Sequence, residues 1–166
     1  MTATDFPALI KLLTAGEVEF IVIGGVAAII HGSAHITIDL DVLYGRTRGN
    51  IERLAVALAP IHPYLRGAPD GLPFRFDAAT IERGLNFTLQ TTLGDIDLLG
   101  EVTGGGSYDQ LAPEAETVPL EGHVFRCVSL RRLIALKRAA GRPKDLNVIA
   151  ELEALLEDRG QPEKGH

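Results

Sequence analysis

Val18-Glu-Phe-Ile-Val-Ile23-Gly24-Gly25-Val-Ala-Ala-Ile-Ile-His31-Gly32-Ser-Ala-His35-Ile-Thr37-Ile-Asp39-Leu40-Asp41-Val42-Leu-Tyr44 changes its period twice. Residues 18–23 are largely β-branched or aromatic and stop at two glycines, which predicts a strand. The apolar run that follows, closed by Gly32, predicts a short helix over 26–31. Asp39 to Tyr44 predicts a second strand. Side chains on a strand alternate between faces, so Asp39 and Asp41 share one face while Leu40 and Val42 turn toward a core. Their Cα atoms would lie about 6.6 Å apart.

Outward from this stretch the chain alternates helical and extended periods. A helix is expected over 5–15, with Thr4 or Asp5 as its cap and Pro7 in its first turn, and another over 50–59. Residues 60–73 hold four prolines and two glycines and read as a loop or lid. Strands are expected over 85–91 and 95–99. Thr117–Leu120 and His123–Val128 read as a hairpin around Glu121-Gly122. Ser129 is placed to cap a helix through Ala140, and Pro143 to open a last one with Leu146, Ile149, Leu152 and Leu156 as its apolar stripe. Hairpin-linked strands mixed with helices predict an α/β (α+β) class, a mixed β-sheet flanked by helices. One domain over 1–158 is expected, with 159–166 as a disordered tail.

The bulk composition excludes several classes. With 166 residues and one cysteine, Cys127, the chain can bury a core without disulfide staples. Cys127 falls in an apolar run and reads as a buried small hydrophobe. No stretch reaches the roughly 18 apolar residues of a membrane helix, and the start has no basic-then-apolar leader, so a cytoplasmic protein with no membrane partner is expected. A formal charge of -6 argues against broad coating of nucleic acid. The charge is uneven, because residues 131–144 carry six basic side chains and no acidic one.

Paired carboxylates on one strand face repel, and a hard cation resolves the repulsion. They can converge on one ion, or flank the pair of ions that clamps attacking and leaving oxygens in phosphoryl transfer. The turn at Gly24 and Gly25 lets backbone approach a ligand, and the helix start beyond it favours phosphate. Gly94-Asp95-Ile96-Asp97 repeats the alternation on a second strand. Either Asp95 or Asp97 could supply a third ligand or take the proton of an attacking hydroxyl.

Gly24-Gly25, His31-Gly32 and Thr37-x-Asp39-x-Asp41 together resemble the signature of the nucleotidyltransferase superfamily that includes DNA polymerase beta, in its minimal bacterial branch. Gly94-Asp-Ile-Asp97-Leu-Leu, followed by Ser129-Leu-Arg-Arg-Leu-Ile, Lys137 and Gly141-Arg142-Pro143-Lys144-Asp145, is similar to the branch of abortive-infection nucleotidyltransferase toxins. The resemblance implies a nucleotidyltransferase fold with Asp39 and Asp41 as magnesium ligands and Asp97 as the third carboxylate. It implies one or two Mg2+ ions, with Mn2+ as a substitute, and transfer of a nucleoside monophosphate from a nucleoside triphosphate to a hydroxyl of a protein or tRNA acceptor. A cognate toxin or antitoxin is the implied protein partner. Gly24, Gly25, Thr37, Lys137 and Lys144 would line the nucleotide site. Two positions depart from the pattern: Gly25 stands where relatives often carry serine, and His35 where they often carry arginine.

The site residues each have a structural alternative. Lys137 and Lys144 could be solvated helix-face lysines, Arg142 and Asp145 could serve a helix start, and His31 and His35 could pack locally. Two other functions fit the same residues. One is a non-catalytic module of this fold that binds a partner protein; the other is a metal-dependent phosphohydrolase.

Overall fold

The computed structural model describes residues 3–160, so residues 161–166 of the expected tail lie outside it. Seven strands form one mixed sheet: β1 (Phe20–Ile23), β2 (Asp39–Tyr44), β3 (Tyr64–Leu65), β4 (Phe87–Thr91), β5 (Gly94–Leu99), β6 (Glu116–Leu120) and β7 (His123–Cys127). Their order is β3-β4-β5-β2-β1-β7-β6. β1 runs antiparallel to β2 and parallel to β7, and β2 runs parallel to β5. The mixed sheet flanked by helices agrees with the class read from the sequence.

The helices are α1 (Phe6–Ala15), α2 (Gly24–Ile30), α3 (Arg48–Leu58), α4 (Ala78–Arg83), α5 (Tyr108–Leu111), α6 (Leu130–Ala140) and α7 (Pro143–Gly160). The local signals account for most ends. Asp5 accepts the Ala8 N–H at 3.0 Å to cap α1, Ser129 accepts from Arg132 to cap α6, and Gly141 ends α6 in the left-handed region. Glu121 and Gly122 both take positive φ, as the tight turn joining β6 to β7 requires.

The core is the apolar face of the central strands, where Leu40, Val42, Ile96 and Leu98 are fully enclosed. Cys127 is buried too, and burial pushes its thiol up to about 12, so it behaves as the packing residue expected. Asn50, wholly buried, ties the far ends of β1 and β2 together. It accepts the Glu19 N–H at 2.7 Å and donates to the Glu19 and Gly45 carbonyls at 3.0 and 2.7 Å. Asn50→Ala strands these backbone groups and is expected to cost about 2 kcal/mol in urea unfolding.

The structure departs from these expectations in places. The proline-rich stretch 60–73 is not wholly irregular, since Tyr64 and Leu65 pair with Gln90 and Leu89 as an edge strand. A helix at Ala78–Arg83, capped by Asp77, has no counterpart among them. The strand expected over 85–91 begins at Phe87. On α7, Leu146 is exposed and Asp145 is buried in its stead, whereas Ile149 and Leu152 are buried and Leu156 packs against the core as expected. That helix also continues through Arg159 to Gly160. Among the described residues no helix is long and apolar enough to cross a membrane.

Candidate metal and phosphate site

β2 and β5 are parallel neighbours with Asp39 opposite Asp95 and Asp41 opposite Asp97. Four carboxylates therefore rise from one face of two adjacent strands. Oxygens of Asp39, Asp41 and Asp97 lie within 4.8 Å of one another, a set that does not include Asp95. The sheet register thus brings together the three acids picked out by the resemblance. Asp41 Oδ1 is buried and has no partner, and Asp97 Oδ1 is buried with only the ion pair to Arg66 Nη2 at 2.9 Å and no aligned hydrogen bond. An orphaned carboxylate oxygen in a set of hard donors suits a divalent cation such as Mg2+ or Mn2+.

The electrostatics express the same crowding. Burial, then the negative charges of Asp39 and Asp97, push Asp41 up to about 8, so in metal-free protein it holds a proton near neutral pH. Burial also raises Asp97, against the pull of its contact with Asp41 and the charge of Arg66.

Gly24 and Gly25 serve the protein's own side chains. Gly24, at a φ of 67°, leaves room for the Asp41 carboxylate directly over its Cα, and Gly25 leaves room for Thr37. Side chains thus lie where a Cβ would stand on either glycine, while Gly24 borders one of the two clefts at Asp41 and Gly25 the other. The Thr37 hydroxyl lies 3.3 and 3.4 Å from the Asp39 carbonyl and Oδ1. The departure at Gly25 has a steric reason, because a Cβ there would press on Thr37.

Two clefts meet at Asp41. One, of about 400 Å³, is lined by His35, Thr37, Asp39, Asp97 and Lys144. The other, of about 410 Å³, has a more apolar wall that includes Leu99, Val102, Leu133 and Leu136. Lys137, Arg142 and Asp145 border both. The rest of the basic segment turns elsewhere: Arg132 bonds Glu114, and Arg138 pairs with Glu153.

Asp145 organises the basic side. It is almost wholly buried, accepts the Arg142 N–H at 3.2 Å and the Arg142 Nε at 2.7 Å, and lies 3.4 Å from Lys137 Nζ. Burial alone would raise its carboxyl, but the Arg142 hydrogen bond and the charges of Lys137 and Arg142 hold it below the usual range. Asp145→Ala would leave the half-enclosed Lys137 ammonium unpaired and remove a helix-start bond. A loss of about 2–3 kcal/mol is expected in denaturant titration.

The histidines divide. His31 is buried, with Nε2 2.7 Å from the Val128 carbonyl and Nδ1 3.1 Å from an Arg159 Nη, so it packs and does not reach the clefts. His35 borders the polar cleft on a loop anchored by Glu151, which accepts from the Ser33 hydroxyl at 2.5 Å and the Ala34 N–H at 3.1 Å.

No protein-family model matches the chain, and no curated protein matches it. Among solved structures it is similar to that of a candidate nucleotidyltransferase from Thermotoga maritima, at 12% identity over 94% of this chain and 97% of the other, with a TM-score of 0.49.

The sequence reading missed Arg66. Its guanidinium reaches over the acids from just beyond β3, with Nη2 2.9 Å from Asp97, Nε 3.3 Å from Asp95 and Nη1 3.6 Å from Asp39. An arginine in a proline-rich stretch carries no periodic signal that could have found it. Asp145 had a signal: three residues after Arg142 and two after Pro143, it stands where a carboxylate reaches back to a helix start.

Proposed function

We propose that the chain is a metal-dependent nucleotidyltransferase that moves a nucleoside monophosphate from a nucleoside triphosphate to a hydroxyl of a protein or tRNA acceptor. The observation that carries this reading is the in-register convergence of Asp39, Asp41 and Asp97, with Asp41 Oδ1 buried and orphaned, beside a cleft bordered by Lys137, Arg142 and Lys144. Asp39, Asp41 and Asp97 would hold one or two Mg2+ ions. A bound ion supplies charge that polarises phosphate oxygens.

The protein's own groups account for the remainder. Lys137 and Arg142, held by Asp145, present fixed positive charge to the triphosphate, and Lys144 at the cleft mouth adds a mobile one. The Thr37 hydroxyl orients Asp39 through its contact with Oδ1, and Asp97 stands where it could accept the proton of the acceptor hydroxyl. The apolar cleft on the far side of Asp41 suits a nucleobase, whose flat faces match Leu133 and Leu136. Fixing donor and acceptor in line over a prearranged charge pattern supplies most of the rate in such a site.

Four labelled nucleoside triphosphates, each incubated with the protein, Mg2+ and cell extract, test the reading. Label on one protein or RNA species, absent with Asp41→Ala, is the expected result. Label that persists in that variant refutes the mechanism. Release of pyrophosphate or phosphate with no acceptor would identify a hydrolase. Arg66 seated on the acids favours a second reading, a non-catalytic module for a toxin or antitoxin partner. Calorimetry showing no binding of any triphosphate with Mg2+ at millimolar concentration would select it.

A further inference from the structure

Arg66 contacts Asp39, Asp95 and Asp97 at once, and two of those belong to the converging triad. It neutralises part of a cluster whose acids otherwise repel. Its hold on the acids is electrostatic: Nε is buried with no aligned acceptor, and the well-formed hydrogen bond of the guanidinium runs from Nη2 to the Leu89 carbonyl at 2.7 Å. The backbone beneath it is tethered by a two-residue strand and by the Arg66 N–H to the Thr88 carbonyl at 3.0 Å. Beyond it the chain runs through exposed residues from Pro69 to Pro73. The acids are therefore covered by a charge on a long side chain, rooted outside the strands that carry the three carboxylates it contacts.

A guanidinium and a divalent cation cannot both neutralise these oxygens at full occupancy. Asp39 and Asp97 have side chains only 28% and 22% exposed, so charge placed there is weakly screened and competition is strong. Arg66 is fixed to the protein and cannot diffuse away, so it competes at a constant high local concentration.

We propose that Arg66 is a built-in counter-ion that a divalent cation must displace from Asp39 and Asp97, so that it sets the metal affinity of the resting protein. This rests on the metal reading of the cluster. Arg66 is then a positioning residue: it keeps the acids together without metal and raises the metal concentration at which the site fills.

The test is Mn2+ binding without nucleotide, followed by the electron paramagnetic resonance of free Mn2+, in the wild type, Arg66→Gln, Arg66→Lys and Asp41→Ala. Arg66→Gln is expected to bind Mn2+ about tenfold more tightly than the wild type, with Arg66→Lys between them because an ammonium cannot bridge three carboxylates. Equal or weaker binding by a folded Arg66→Gln overturns the proposal. Where that variant does not fold, the Nε–H resonance of Arg66 in wild-type protein decides. It should shift on addition of Mg2+, and a resonance that stays in place overturns the displacement. Binding by the wild type and not by Asp41→Ala, with no effect of Arg66, sinks this inference alone. Absence of Mn2+ binding in the folded wild type sinks the metal reading with it.

Discussion

Asp41→Asn is expected to lower nucleotidyl transfer by about a thousandfold or more and, in the same molecule, to make the metal-free protein more stable at pH 8. Both effects follow from one buried carboxyl. In the folded wild type without metal, burial and the neighbouring acids raise Asp41 from 3.8 to about 8. Between those values the native state keeps a proton that the unfolded chain releases. Stability is therefore fully present below about pH 4 and is lost as pH rises through about 8, by an amount of the order of a few kcal/mol. Asparagine has nothing to titrate, so the part of this fall that comes from Asp41 should be missing from its stability profile in chelator. On the proposed metal reading, Mg2+ should favour the wild type, by binding its native state and not the variant. At a hundredfold excess over the dissociation constant it should add about 2.7 kcal/mol, with little gain for the variant. Urea titrations at pH 5 and 8, with chelator or with Mg2+, read all four cases. A wild type whose stability rises from pH 5 to 8 in chelator would contradict the electrostatics described above.

That trade explains why such a cluster stands at the end of a strand. Three acids drawn within a few ångströms of each other destabilise the resting fold, and the structure offsets this with a proton on Asp41 and a guanidinium at Arg66. A ligand that replaces both can recover the stored repulsion as binding energy. The same logic holds on the basic side, where Asp145 pairs with both Lys137 and Arg142 and offsets the repulsion between them.

How far this site can be read from the sequence depends on the range of each interaction. The sharing of a face by Asp39 and Asp41, and by Asp95 and Asp97, is legible because a strand has period two. That the two pairs stand side by side is not, since β2 and β5 pair in parallel across about fifty residues and nothing local sets that register. Arg66 lies beyond reach for the same reason: a two-residue edge strand has no pattern. Leu146 shows a subtler failure. Helical spacing alone admits stripes starting at Leu146 or at Asp145, and hydrophobicity favours the former. The structure takes Asp145, Ile149 and Leu152, because Lys137 and Arg142 supply that carboxylate with partners that make its burial favourable. Gly24 and Gly25 are legible as special and both border the clefts, but their packing under Asp41 and Thr37 is not legible, because those residues come from further along the chain.

Gly24 carries the second large effect. It sits at a φ of 67°, where a side chain costs about 1 kcal/mol, and an added Cβ would overlap the Asp41 carboxylate. Neither neighbour can yield easily, because Asp41 is fixed by its pairing on β2 and Gly24 by the start of α2. Gly24→Ala is therefore expected to cost about 4 kcal/mol, most of it overlap and not backbone strain. A double-mutant cycle separates the two contributions. In an Asp41→Ala background the carboxylate is gone and only the Asp41 Cβ position remains near, so the same glycine substitution should cost about 2 kcal/mol or less. The coupling of about 2 kcal/mol measures how tightly the helix start grips the acid that the chemistry needs. Equal costs in both backgrounds would mean that Gly24 answers to its own backbone alone, and the packing of Asp41 against it would lose its role in aiming the carboxylate at the cluster.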